Sequence, residues 1–243
     1  MKSPTSLPTS LLEIRARIPV SDAVLDGDLM IPGGAGGIVL FAHGSGSSRH
    51  SPRNRSVARV ICEAGIGVLL FDLLTPEEES VDVYTRHLRF DIGLLTERLV
   101  EATRWVADSD MTRQGAAPIM RLGYFGSSTG AGAALRAAAK FAENIDAVVS
   151  RGGRPDLAGD ALPLVKAPTL LIVGGRDEPV IELNQDAYAR LRCKKEMRII
   201  PDATHLFEEP SALEQVAHLA TAWFREHLQS QSPQTRAVGG ARR

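Results

Sequence analysis

Leu122-Gly123-Tyr124-Phe125-Gly126-Ser127-Ser128-Thr129-Gly130-Ala131-Gly132-Ala133-Ala134-Leu135 is the stretch whose reading decides the fold. An apolar run with the pattern of a strand meets Gly126, and small residues carry the chain directly into a helix. Gly126 to Gly130 fits G-x-S-x-G, with Ser128 at the tip of the turn. The pattern has a steric origin. A nucleophile raised on a sharp strand-to-helix turn sits in strained backbone geometry, and residues two positions away on either side lack room for a side chain. Composition alone produces such a pattern now and then. Its weight comes from the strand before it and the Ala/Gly-rich helix after it.

The same alternation runs outward on both sides. Ile38 to Ala42 and Gly67 to Asp72 are continuous apolar runs, the sign of strands covered on both faces. Met120 to Phe125, Ala147 to Ser150, Thr169 to Val173 and Met197 to Ile200 read as further strands. Helices are expected from about 55 to 64, 130 to 141, 181 to 191 and 211 to 228, with another start at Thr75-Pro76-Glu77-Glu78-Glu79. From Arg86 to Ala107, the residues Leu88, Ile92, Leu95, Leu99, Ala102 and Val106 recur at helical spacing, which predicts one long amphipathic helix. Near the N-terminus, Leu12 to Ile18 alternates strictly and Val24 to Ile31 does so more weakly. These read as an antiparallel pair closed by the Pro32 to Gly37 turn. The fold class that follows is α/β: a mostly parallel twisted sheet of about eight strands with helices on both faces. Only a short loop separates Ser150 from Thr169, so no sizeable cap domain is expected. Residues 1–11 read as a flexible leader, 12–228 as one domain, and 229–243 as a disordered tail.

Composition narrows the function classes. A formal net charge of -1 argues against a broad nucleic-acid-binding face and against attraction to anionic membranes. The first residues hold no apolar core of signal-peptide length, and no apolar run is long enough to span a bilayer. A cytoplasmic protein is expected. The two cysteines, Cys62 and Cys193, show no metal-ligand spacing and read as reduced and buried. Neither a metal nor an organic cofactor is implied.

Functional residues of such sheets gather beyond the carboxyl ends of the strands. Those ends carry His43-Gly44, Asp72, Ser128, Arg151, Asp177 and His205. Acyl transfer by a serine needs a base in hydrogen-bond reach and a third group that fixes the imidazole. After Ser128 the candidates come in the order Asp177 then His205, and Ser-acid-His is the chain order of α/β-hydrolases. Asp72 is the alternative acid, and Asp177 by itself also fits a cap for the helix near Pro179.

With the His43-Gly44-Ser45-Gly46 turn, the Gly126 to Gly130 elbow, Gly174 to Asp177 and His205 before the closing helix, the chain resembles an α/β-hydrolase of the dienelactone hydrolase-like group over roughly residues 12 to 228. It is also similar to a domain found fused to phosphoribosyltransferases. The resemblance implies Ser128 as nucleophile, His205 as base and then acid, and Asp177 as its orienter. It also implies an oxyanion hole from the backbone N–H groups of Thr129 and Ser45. Dienelactone hydrolases proper use a cysteine nucleophile, so Ser128 departs from their pattern and the dienelactone substrate does not carry over. The expected activity is hydrolysis of a small carboxylic ester or thioester. Amide or carbon–carbon bond hydrolysis on the same triad, or a non-catalytic binding protein, are the alternatives. His43, Arg49 and Arg151 are candidate substrate-binding residues. His43 also reads as a residue that ties down its own loop, and the arginines either recognise an acidic ester or bridge to Asp72, Glu77, Glu78 or Asp156. The expected partner is a small-molecule ester, with no nucleic acid and no membrane; an exposed edge strand or the last helix suits a homodimer.

Overall fold

The structure, a computed structural model, describes residues 10–109 and 120–229; the expected leader up to residue 9 and the tail from 230 lie outside that range. β1 (Leu11–Val20) and β2 (Ala23–Pro32) form a hairpin, followed by β3 (Gly37–Ala42), α1 (Pro52–Glu63), β4 (Gly67–Phe71), α2 (Pro76–Thr85) and α3 (Ile92–Asp108). Then come β5 (Arg121–Ser127), α4 (Thr129–Lys140), β6 (Ala147–Arg151), β7 (Thr169–Gly174), α5 (Glu178–Arg190), β8 (Lys195–Ile200) and α6 (Ala212–Leu228). The strands make one sheet of eight in the order β1-β2-β4-β3-β5-β6-β7-β8. From β4 to β8 all neighbours are parallel, while β1 and β2 continue the sheet antiparallel.

Strand alternation splits the core in two. Along β3, Ile38, Leu40 and Ala42 face the layer of α3, α4 and α5, whereas Val39 and Phe41 face α1 and α6. That is why these strands read as unbroken apolar runs: both faces are covered. Phe41 stacks on Phe125 with ring centroids 4.7 Å apart, and burying one such ring contributes about 2–3 kcal/mol. The chain goes from β3 to β4 on one side and later places β5 on the other. The loops leaving β3 and β5 therefore diverge, and this opens a crevice at their carboxyl ends.

Three elements differ from the sequence reading. The hairpin closes through the two residues Ser21-Asp22, with Val20 opposite Ala23, and the 33–36 segment instead leads from β2 into β3. The long helix expected over 86–107 is broken. Arg86 takes a left-handed φ of 53° at the end of α2, a 3-10 turn covers Leu88–Phe90, and Asp91 caps a new helix through Leu94 N–H at 3.0 Å. α1 starts earlier than expected, capped by Ser51 with Pro52 in its first turn. No inserted domain covers the β6–β7 connection; its 3-10 segment, Pro155–Leu164, packs on α4 and α5.

The break before α3 is held by charge. Arg98, 1% exposed, donates to both carboxylate oxygens of Glu78 at 2.6 Å, to Asp22 at 3.0 Å and to the Leu73 carbonyl at 2.8 Å. It fastens α3 to the start of α2 and to the hairpin turn. The Arg98 hydrogen bonds hold the Glu78 carboxyl below its ordinary pKa. Removing one member of a buried pair strands the other, so Arg98→Met should cost about 3 kcal/mol at pH 7, read from urea unfolding. Because the folded pKa of Glu78 is depressed, its contribution is present above the ordinary glutamate value of about 4.3 and is lost as pH falls through the folded value. The gap between wild type and variant should accordingly narrow on acidification below that point.

Candidate active site

β5 ends at Ser127 and α4 begins at Thr129, so Ser128 alone turns the chain, at φ 49° and ψ −124°. A non-glycine residue there carries strain of order 1–3 kcal/mol. Neighbours fix it: Ser128 N–H donates to the Arg151 carbonyl at 3.4 Å, and its own carbonyl accepts from Ala131 and Arg154 N–H, both at 3.0 Å. The turn works only because the backbones come so close. A Cβ on Gly126 would lie 2.5 Å from Ala131 Cα, and one on Gly130 would lie 2.1 Å from the Ala42 carbonyl oxygen. The β3 loop presses on the same point, since a Cβ on Gly44 would sit 2.9 Å from Ser128 Cβ.

Asp177 leaves β7 and His205 lies in the loop after β8, with His205 Nδ1 2.6 Å from Asp177 Oδ2. The Asp177 side chain makes no capping hydrogen bond to α5. Its carboxylate goes to the imidazole Nδ1. No hydrogen bond joins Ser128 Oγ to His205 among the described residues; such bonds commonly tighten only when substrate is bound. Both side chains line one pocket of about 790 Å³, together with the 43–48 loop, the start of α1, Asp72, Arg151 and Leu206.

Ser45 and Thr129 also meet. Ser45 N–H donates to Thr129 Oγ1 at 2.9 Å. Thr129 N–H, in the first turn of α4, has no helical acceptor to reach. The two amides lie beside Ser128, one from the loop after β3 and one from the first turn of α4.

The remaining candidates separate. His43 is buried with both ring nitrogens committed: Nε2 accepts from Leu73 N–H at 3.0 Å, which requires Nδ1 to carry the proton, 3.0 Å from the Gly44 carbonyl. Burial lowers its pKa. With no free nitrogen for a substrate, His43 anchors the loop that carries Ser45. Arg49 is turned away from the pocket. Its backbone N–H donates to Asp72 Oδ1 at 2.7 Å, its guanidinium pairs with the other oxygen of Asp72, and Asp28 lies 3.8 Å away. That pairing also occupies Asp72, the alternative acid. Arg154, three residues past Arg151 in the loop after β6, is bonded to Asp156 at 2.7 and 2.8 Å. Arg151, by contrast, lines the pocket and is 7% exposed. Sequence reasoning did not find its supports, Asn54 and Ser127. The available signal was register: Ser127 and Arg151 are paired across β5 and β6 and point to one face. Among the described residues no three His, Cys, Asp or Glu side chains converge as metal ligands, and no helix is long and apolar enough to cross a membrane.

An eight-stranded, mostly parallel sheet with a serine elbow after its central strand and an acid–imidazole pair after two later strands defines an α/β-hydrolase fold. Comparison with known proteins agrees. Residues 25–229 match the dienelactone hydrolase family, and the chain belongs to that family. A dienelactone hydrolase from Anabaena variabilis ATCC 29413 is 59% identical, with 90% of this chain and 99% of that one covered and a TM-score of 0.87. An esterase of Pyrococcus furiosus shares the fold at 19% identity, covering 90% of this chain and 92% of that one with a TM-score of 0.70. A protein of Mycobacterium tuberculosis (strain ATCC 25618 / H37Rv), provisionally named a phosphoribosyl transferase, is 58% identical over 207 residues. This match takes in 85% of the chain but spans only 45% of that relative's length.

The elbow's spacing can be tested through stability. Gly130→Ala places a methyl group into backbone atoms, whereas Gly34, at φ 77°, has nothing within 4 Å of its Cβ position. Gly34→Ala should cost about 1 kcal/mol from backbone strain alone. Gly130→Ala should cost about 3 kcal/mol or more, both read as shifts in urea midpoint.

Proposed function

We propose that this member of the dienelactone hydrolase family is a serine hydrolase that cleaves a small carboxylic ester or thioester through an acyl-enzyme. The observation that carries the reading is the His205–Asp177 bond of 2.6 Å in a pocket shared with Ser128 on its strained turn. In this mechanism Asp177 holds the imidazole so that Nε2 faces the nucleophile. His205 takes the proton of Ser128 as Oγ attacks the acyl carbon, and returns it to the departing alcohol or thiol. A water then enters, and His205 activates it by the same exchange to release the acid. The negative oxygen of each tetrahedral intermediate is received by Thr129 N–H and by Ser45 N–H. Ser45 shares that proton with Thr129 Oγ1 until the oxyanion forms. Loss of one such donor typically costs about 10²–10³ in turnover.

The pocket supports small acyl groups because no cap deepens it. The transferase name of the mycobacterial protein is not carried over, since the chain corresponds to less than half of that relative and the grouping of serine, imidazole and carboxylate fits acyl transfer.

A fluorophosphonate probe should label wild type at Ser128 and leave Ser128→Ala unlabelled, with p-nitrophenyl acetate hydrolysis abolished in the variant. Asp177→Asn, which removes the carboxylate but keeps the shape, should lower kcat by about 10⁴. An unlabelled wild type without esterase activity would overturn the proposal.

A further inference from the structure

Arg151 closes β6 with its guanidinium on the sheet face covered by α1. Nη2 donates to two neutral oxygens, Asn54 Oδ1 at 3.2 Å and Ser127 Oγ at 3.1 Å, while Nε is buried without an acceptor. The Phe207 ring lies 5.7 Å from the guanidinium carbon. Among the described residues no carboxylate comes within ion-pair distance. The contrast with Arg98 is direct: that arginine, also buried, meets two carboxylates. A buried cation left uncompensated is costly. Burial and the nearby charge of Arg53 bring the pKa of Arg151 down to about 10, so the group stays charged at neutral pH.

That charge opens onto the pocket, and a second positive feature borders it. Ser51, Pro52 and Arg53, the start of α1, line the same wall as Arg151. α1 has twelve residues and no acidic side chain in its first turn; Ser51 caps Asn54 N–H and Pro52 carries no N–H, so what this helix end offers a ligand is its dipole and the Arg53 amide. Among the described residues Arg53 pairs with Glu208, whose side chain is 63% exposed, and such pairs are screened. Ser47 and Ser48 also line this pocket, with Ser48 Oγ accepting from His50 N–H at 3.2 Å. Ser127, which supports Arg151, directly precedes the nucleophile, so the positive wall adjoins the reacting centre.

We propose that Arg151, with Arg53 and the N-terminus of α1, forms a subsite for a phosphate group carried by the ester. The inference names a substrate class and rests on the hydrolase reading above for the reaction itself. A carboxylate offers two oxygens and one charge, which a single guanidinium satisfies. Two guanidinium groups and a helix N-terminus match the three terminal oxygens and near-double charge of a phosphate monoester.

Calorimetric titration at constant ionic strength tests this with inorganic phosphate and acetate as probes. Phosphate should bind wild type and Ser128→Ala alike, at least about ten-fold tighter than acetate. Arg151→Gln should weaken phosphate by about ten-fold or more, and Arg151→Lys should recover part of the loss. Absence of phosphate binding, equal binding of acetate, or no change in Arg151→Gln would overturn the subsite. Should Arg151→Gln not fold, Arg53→Gln makes the comparison, with about three-fold weaker phosphate binding expected and unchanged binding overturning the proposal. Ser128→Ala cannot turn over, so its binding data are independent of catalysis. Phosphate binding without fluorophosphonate labelling would sink the hydrolase reading and leave the subsite. Labelling without phosphate binding would do the reverse.

Discussion

The close approach of three backbones at the end of β5 is the constraint on which the site depends. Ser128 is held at positive φ because Gly126 and Gly130 let the turn fold back onto α4 and the β3 end, and because Gly44 lets the neighbouring loop reach Ser128 Cβ. A side chain at any of these positions would force the loops apart. The same contacts bring Ser45 against Thr129, so one steric condition sets both the placement of Ser128 and the two amides beside it. His43 locks the arrangement from behind by spanning Gly44 and Leu73, which ties the ends of β3 and β4 together. The strain at Ser128 is thus carried by a well-packed frame and not by the turn alone.

Much of this was legible in the sequence. Continuous apolar runs such as Ile38 to Ala42, short and bounded by glycines, have the pattern of strands covered on both faces, and those strands set the loops that collect Ser128, Asp177 and His205. Boundaries were less legible where two signals compete. Hydrophobic spacing from Leu88 to Val106 runs straight across the break at Asp91, because Leu88 packs on the same core from a 3-10 turn. Ser51-Pro52 reads as loop by composition, yet a serine cap followed by proline in the first turn is also how a helix begins. The hairpin turn at Ser21-Asp22 has no glycine to mark it, whereas the glycine-rich 33–37 segment suggested a turn that the topology places elsewhere.

Charge was the least legible feature. Nothing local distinguishes Arg49, Arg98 and Arg151, but the fold gives them three different fates. Arg49 is neutralised by Asp72 and Asp28, and Arg98 by Glu78 and Asp22 from two distant segments. Arg151 is held by neutral oxygens at the pocket wall. Those fates depend on which carboxylates the sheet order brings near, which is tertiary information. Arg151 lies at a strand end, where a buried side chain still opens toward ligand, and there an unanswered charge has a use.

The most direct test of the account is to trap the covalent step. Acid-quenching wild type during p-nitrophenyl butyrate turnover, then mapping peptides by mass spectrometry, should place one butyryl group on the segment 122–135, at Ser128. A butyryl group on any other residue, or turnover with no acylated peptide and no burst of p-nitrophenol, would contradict the claim that the elbow serine is the nucleophile.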